Sequence, residues 1–208
     1  MFGLSWLIIV AGIPGLIISM VVHEYAHARV AVALGDFTPR MMGRLTLNPL
    51  AHIDPIGMLM LLFVQFGWAK PVMINPRNFK NVRRDDCLVS LAGPLANLLT
   101  AFFAVCVMRL YVFLGLPQTQ GVVLVWQLIV IFNINFAIFN MLPLPPLDGS
   151  KVLMTFLPGR WAYKLMSLER YSFLILILLF ITPIGDVIFR PLSQAIQGIF
   201  YLMLGIIF

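Results

Sequence analysis

Charge avoids long stretches of this chain. Residues 1–22 carry none, nor do residues 87–108 or the 38 residues from Leu110 to Leu147, and two shorter uncharged runs cover 171–185 and 191–208. A helix that crosses a bilayer needs roughly 20 mostly apolar residues. The pattern therefore predicts an all-α polytopic membrane protein with about five transmembrane helices, over about 4–34, 85–114, 122–140, 168–182 and 185–208. Gly35 in "LGD" suits the C-terminal cap of the first helix. The uncharged run 55–69 is short for a span and flanked by turn formers, which predicts a membrane-embedded hairpin or re-entrant segment. Such irregular backbone survives at depth only when buried in protein or lining a watery cavity. In "NMLPLPPLDG" three prolines, Pro143, Pro145 and Pro146, remove backbone donors and break a helix at membrane depth, and a new helix is expected from Asp148 to about Phe156. One membrane-embedded domain over 1–208 is expected, with its core at 4–157 and two C-terminal helices at 168–208.

Composition supports this pattern: 61% of the residues are hydrophobic and 11% charged, far from an ordinary soluble domain. No basic residue precedes Arg29, so the first segment reads as a retained helix and not as a secretory leader. The net charge of +6 is topological. Arg40, Arg44, Lys70, Arg77, Lys80, Arg83 and Arg84 fall in one inter-helix region, and Arg160, Lys164 and Arg170 in another. With alternating spans both regions face the same side, which the positive-inside rule makes cytoplasmic, with the N-terminus outside. That distribution argues against a nucleic-acid partner. Cys87 and Cys106, if on one helix, are about 28 Å apart and cannot bridge.

The first apolar run ends in "VVHEYAHARV". On a helix His23 and His27 differ by about 40° in azimuth, so both imidazoles can aim at one point. That is the spacing of two ligands of a tetrahedral zinc, with Glu24 beside them as a base for a water proton. A histidine pair hydrogen-bonded within a bundle is the plainer explanation. It weakens at membrane depth, where an ionisable cluster is costly unless it binds, shuttles or reacts. Catalytic zinc normally takes three protein ligands, and neither cysteine fits. The remaining candidate in an apolar setting is Asp148, which can be a ligand or simply the N-cap of the helix that begins there.

"HEYAH" near the end of a first helix, "SLAGPLANLL" opening a second and "NMLPLPPLDG" breaking a third resemble, in that order, the site-2 protease family of intramembrane zinc metalloproteases. "GRLTLNPLAHIDPIG" and "GWAKPVMINP" resemble its short bacterial and archaeal members. The resemblance implies one zinc per chain, held by His23, His27 and Asp148, with Glu24 as general base and acid. It implies that Asn140 steadies the substrate carbonyl or the oxyanion. The implied substrate is a transmembrane or membrane-associated protein in the lipid bilayer, and the implied location a prokaryotic inner membrane with the active site toward the cytoplasm. The PDZ and CBS domains of many members have no counterpart in this sequence. Asn97 can face the zinc site or bond a neighbouring helix; His52 can contact substrate or cap loop backbone; Asn133 and Asn135 read as interhelical glue. The β-tolerant "KPVMIN" suggests that residues 70–75, through Val72 and Ile74, offer an extended edge to an unwound substrate. A zinc carrier and a non-catalytic membrane scaffold are the competing classes. The first would be expected to show repeat symmetry, which is not seen here.

Overall fold

The computed structural model of the chain describes residues 6–54, 57 and 70–207. The hairpin expected over 55–69 thus lies, apart from Gly57, outside the described residues. Among the described residues these α-helices follow in order: α1 (Trp6–Ala33), α2 (Thr38–Met41), α3 (Val82–Phe113), α4 (Gln120–Asn140), α5 (Asp148–Phe156), α6 (Gly159–Met166), α7 (Glu169–Ile181) and α8 (Ile184–Ile207). The chain is an all-α polytopic membrane protein. Among the described residues four helices, α1, α3, α4 and α8, are long and apolar enough to span. The fifth apolar segment forms α7, whose 13 residues reach about 20 Å, short of a hydrocarbon core about 30 Å thick.

Helices α1, α3 and α4 each pack against the other two, and α8 packs against α4. The contact faces explain why. On α1 the buried positions include Ala11, Gly15, Ser19, His23, His27 and Ala31, a stripe of small and polar residues four apart. On α3 Val89, Gly93, Asn97 and Ala101 repeat the same spacing. Small residues let backbones approach, which in lipid replaces the hydrophobic drive that holds soluble bundles together. A Cβ on Gly15 would stand 2.9 Å from the carbonyl oxygen of Leu128 on α4, so this crossing admits only glycine. Farther from the polar stripe, Ala101, Ala104, Val105, Ile129, Val130, Ile134 and Ile138 form an apolar core closed by Leu204 of α8. Outward, Leu95, Leu99, Phe103 and Phe113 of α3 are exposed, as suits a face against acyl chains.

Between α1 and α3 the chain is held by turns and a clasp. Gly35 ends α1 in the left-handed region, with φ +106°. The Gly35 N–H donates to Val32 and the Asp36 N–H to Ala31, a closed C-cap in which the expected glycine does the expected work. Asp36 itself is fully buried. Its Oδ1 accepts from the Thr38 hydroxyl at 2.6 Å, the Thr38 N–H at 3.1 Å and the Asn78 side-chain amide at 2.7 Å, while Oδ2 accepts from the Asn75 N–H at 2.7 Å. One carboxylate thereby ties the end of α1 to the segment that leads into α3.

Burial alone would raise the pKa of Asp36; the hydrogen bonds from Thr38, Asn75 and Asn78 outweigh it and hold the carboxyl below its ordinary range. A lowered folded pKa means that the clasp is at full strength above about pH 4 and is lost as pH falls through the depressed value. Asp36→Ala is expected to weaken the clasp by about 1–3 kcal/mol. Hydrogen exchange at the Thr38 and Asn75 amides should speed up about tenfold or more at neutral pH. After correction for intrinsic rates, only the wild type should lose protection on acidification.

Candidate metal centre

His23 and His27 lie on the buried stripe of α1, about ten and six residues before its end. Their Nε2 atoms are 2.9 Å apart. Asp148 Oδ2 lies 3.1 Å from His23 Nε2 and 3.2 Å from His27 Nε2. Within the described residues these three side chains are the group able to hold a metal ion.

The far side of each imidazole decides what the near side offers. His27 Nδ1 is 2.7 Å from the carbonyl oxygen of Val89, which can only accept, so Nδ1 carries the proton and Nε2 a lone pair. For His23 the logic runs through three helices. Asn133 donates its amide to the Ile129 carbonyl at 2.8 Å and so presents Oδ1 to Asn97. Asn97 donates from Nδ2 to that oxygen at 2.9 Å and to the Ser19 carbonyl at 2.8 Å. Its own Oδ1 must then face His23 Nδ1, at 2.7 Å, and accept from it. Both Nε2 atoms therefore point lone pairs at a carboxylate oxygen that has no hydrogen-bond donor of its own among the described residues. A proton can serve one pair of these three atoms; a cation satisfies all three. Zinc at about 2.0–2.1 Å from tetrahedral ligands implies ligand separations of about 3.3 Å, close to the triangle observed, and leaves a fourth position open.

Backbone geometry brings the carboxylate there. After α4 ends at Asn140, the proline-rich turn, with a cis bond between Pro145 and Pro146, redirects the chain into α5. Leu147, not Asp148, is the N-cap of α5, and no side chain caps that helix. The capping role open to Asp148 in the sequence is thus not the one its carboxylate plays. A Cβ on Gly149 would stand 2.3 Å from the Met141 carbonyl oxygen, so only glycine lets α5 start this close to the end of α4. Gly93 does the same for the imidazoles: a Cβ there would lie 2.6 Å from His27 Nε2 and from His23 Cε1. Phe136 backs the His23 ring edge-on, with centroids 4.8 Å apart.

The three atoms border a cavity of about 180 Å³ that is also lined by Glu24, Pro71, Val72, Ile74, Asn140 and Lys151. Glu24 Oε2 accepts the Val72 N–H at 2.9 Å. Asn140 donates one amide hydrogen to the Phe136 carbonyl at 3.0 Å. The segment 70–75 forms neither helix nor strand, and three of its donors are engaged: Lys70 N–H with the His52 carbonyl, Val72 N–H with Glu24 and Asn75 N–H with Asp36. His52 stands outside the cavity. It is fully buried in the loop, with Nε2 2.8 Å from the Thr46 carbonyl, which is the backbone-bonding role. Asn97 does both things open to it, bonding a neighbouring helix and orienting His23.

A family model described as Peptidase family M50 matches residues 111–182, a stretch that holds Asn140 and Asp148 but not the histidines of α1. The chain is 39% identical over 184 residues to "Putative zinc metalloprotease YwhC" of Bacillus subtilis (strain 168), spanning 86% of this chain and 84% of that protein. It is 30% identical over 187 residues to "Putative zinc metalloprotease Rip2" of Mycolicibacterium smegmatis, spanning 82% of this chain and 66% of that protein. The chain belongs to peptidase family M50, the site-2 protease family. Over 85 residues, 40% of each chain, it is also 39% identical to "Putative zinc metalloprotease MJ0611" of Methanocaldococcus jannaschii. No solved structure matches it.

This M50 peptidase is thus a zinc metalloendopeptidase and an integral membrane protein whose substrate is protein. Reasoning from sequence did not single out Gly93, the Val89 carbonyl, the Val72 amide or Lys151. The one available signal was the four-residue spacing of Val89, Gly93 and Asn97 within "SLAGPLANLL". Gly93→Ala is expected to push both imidazoles out of register and to lower zinc occupancy severely. Asn97→Leu, which leaves the His23 tautomer unset, should weaken zinc by about 10–100-fold. Metal content after dialysis against a graded chelator measures both.

Proposed function

We propose that this M50 peptidase hydrolyses peptide bonds in or near transmembrane segments of membrane proteins, with His23, His27 and Asp148 holding one zinc and Glu24 as general base and acid. The observation that carries this is the convergence of three ligand atoms and a carboxylate on one cavity inside a bundle of membrane-spanning helices. Zinc supplies a Lewis acid there, able to polarise a peptide carbonyl and to bring the pKa of a water toward about 7. Glu24 takes the water's proton on the oxygen not engaged by Val72 and returns it to the leaving amine. Asn140 keeps a second amide hydrogen for the oxyanion that forms on the attacked carbonyl.

Depth and direction support the membrane reading. His23 is about 15 Å along α1 from Ala33, and Gly93 a similar distance along α3 from Val82. The site therefore sits between the membrane centre and the side carrying the basic segments 40–44, 77–84 and 160–170. The positive-inside rule makes that side cytoplasmic, of a prokaryotic inner membrane, and puts Trp6 at the outer end. The whole chain acts as one membrane-embedded domain. A helical peptide bond is shielded, so a substrate must unwind to reach the cavity, where Pro71, Val72 and Ile74 form one wall.

Glu24→Gln is expected to keep zinc bound and to lower cleavage of a panel of single-span peptides in liposomes by about 10²–10⁴-fold. Metal analysis and product mass spectrometry read the two effects separately. Equal cleavage by both proteins would remove Glu24 from the mechanism. Zinc in both with cleavage by neither, over a broad panel, would favour a carrier or scaffold.

A further inference from the structure

Buried hydroxyls in helices ordinarily return their hydrogen to the preceding turn. Here Ser19 bonds the Leu16 carbonyl, Thr100 that of Ala96, Ser172 that of Leu168 and Thr182 that of Leu178. The other described serines and threonines also have hydrogen bonds, through side chain or loop backbone. Ser90 is the exception. It is 1% exposed, its Oγ has no hydrogen-bond partner among the described residues, and it lines the cavity beside the metal ligands. Asp148 Oδ2 is the cavity's other unpaired buried atom, and a cation accounts for it. Nothing among the described residues accounts for the hydroxyl.

Position narrows what it serves. Ser90 follows Val89, whose carbonyl holds His27, and precedes by three residues Gly93, against which the imidazoles seat. The same cavity is bounded by Val72 and Ile74 of the segment 70–75. A peptide drawn in here has lost its helical hydrogen bonds, and each unpaired carbonyl costs several kcal/mol in a water-poor setting unless it meets a donor. A cavity of about 180 Å³ has room for a short extended stretch of backbone.

We propose that Ser90 is a substrate-contacting residue: its Oγ–H donates to a main-chain carbonyl of the unwound peptide beside the scissile bond. This rests on the cavity being the peptide site, and the test separates the two ideas. In the Glu24→Gln background, binding of a fluorescent single-span peptide is compared with and without Ser90→Ala, alongside zinc content. The added Ser90→Ala change is expected to weaken binding about five- to tenfold with zinc retained, the worth of one hydrogen bond. With Glu24 intact, kcat/KM should fall by a similar factor, chiefly through KM, because the bond exists before and during reaction. Ser90→Cys, close in volume but a weak donor, should behave like Ser90→Ala. A Ser90→Cys protein that binds like wild type while Ser90→Ala does not would assign the effect to packing and overturn the proposal. Unchanged binding in both variants, or loss of zinc, would overturn it as well. Cleavage by the Glu24→Gln protein would instead strike at the mechanism on which it rests.

Discussion

Two imidazole lone pairs 2.9 Å apart and a carboxylate oxygen within 3.2 Å of both are a repulsive set until a cation enters. Holding them there is the constraint on which the rest of the structure depends. The surroundings meet it by making every other polar atom of the set directional: Val89 and Asn97 take the Nδ1 protons, and Asn133 and Ser19 leave Asn97 one orientation. These partners come from α1, α3 and α4, so the site exists only where the three helices meet. It also explains why so polar a cluster is tolerated in an apolar bundle: each member except the cation-facing atoms is paired.

The same requirement shapes the packing. Lipid offers no apolar advantage to helix association, so contact must come from close fit. Gly15 brings α1 onto α4, Gly93 admits the imidazoles to the surface of α3, and Gly149 lets α5 begin against the end of α4. Bulk is pushed to the other end of the bundle, where Ile129, Val130, Ile134 and Leu204 interlock with α3 alanines. The loop between α1 and α3 is secured separately through Asp36. That clasp fixes the far end of the segment 70–75, whose middle reaches Glu24 through the Val72 amide. The Glu24 carboxylate and a wall of the cavity are thus joined through one main-chain hydrogen bond.

Much of this was legible from residues alone, and unevenly so. Helix positions came out within a few residues because charge and proline are costly in lipid, and α5 matches its expected bounds because three prolines and an aspartate delimit it. The His23/His27 pair was legible because a four-residue spacing is a geometric statement about one helix. Asp148 was less so: a cap and a ligand look alike until the turn from 141 to 147 shows that Leu147 takes the cap position. His52 is a histidine like His23 and His27, yet it is committed to the Thr46 carbonyl in the loop. Ser90 left no trace, since an unpaired hydroxyl is visible only when its neighbours are in place.

The sequence by itself determined what is local or additive: an all-α membrane chain, the clustering of its charge between helices, one helical face bearing two imidazoles with a carboxylate beside them, and the break that ends α4. Family membership follows from the same linear information, through long identity to zinc metalloprotease relatives. Tertiary structure alone decided which atoms meet. The tautomer of His23, the approach of Asp148, the pairing of Glu24 with Val72 and the isolation of the Ser90 hydroxyl are contacts between residues 48 to 125 positions apart or, for Ser90, the lack of one. Hydrogen bonds act over about 3 Å and depend on angle, so they are set by how helices cross and not by spacing along the chain.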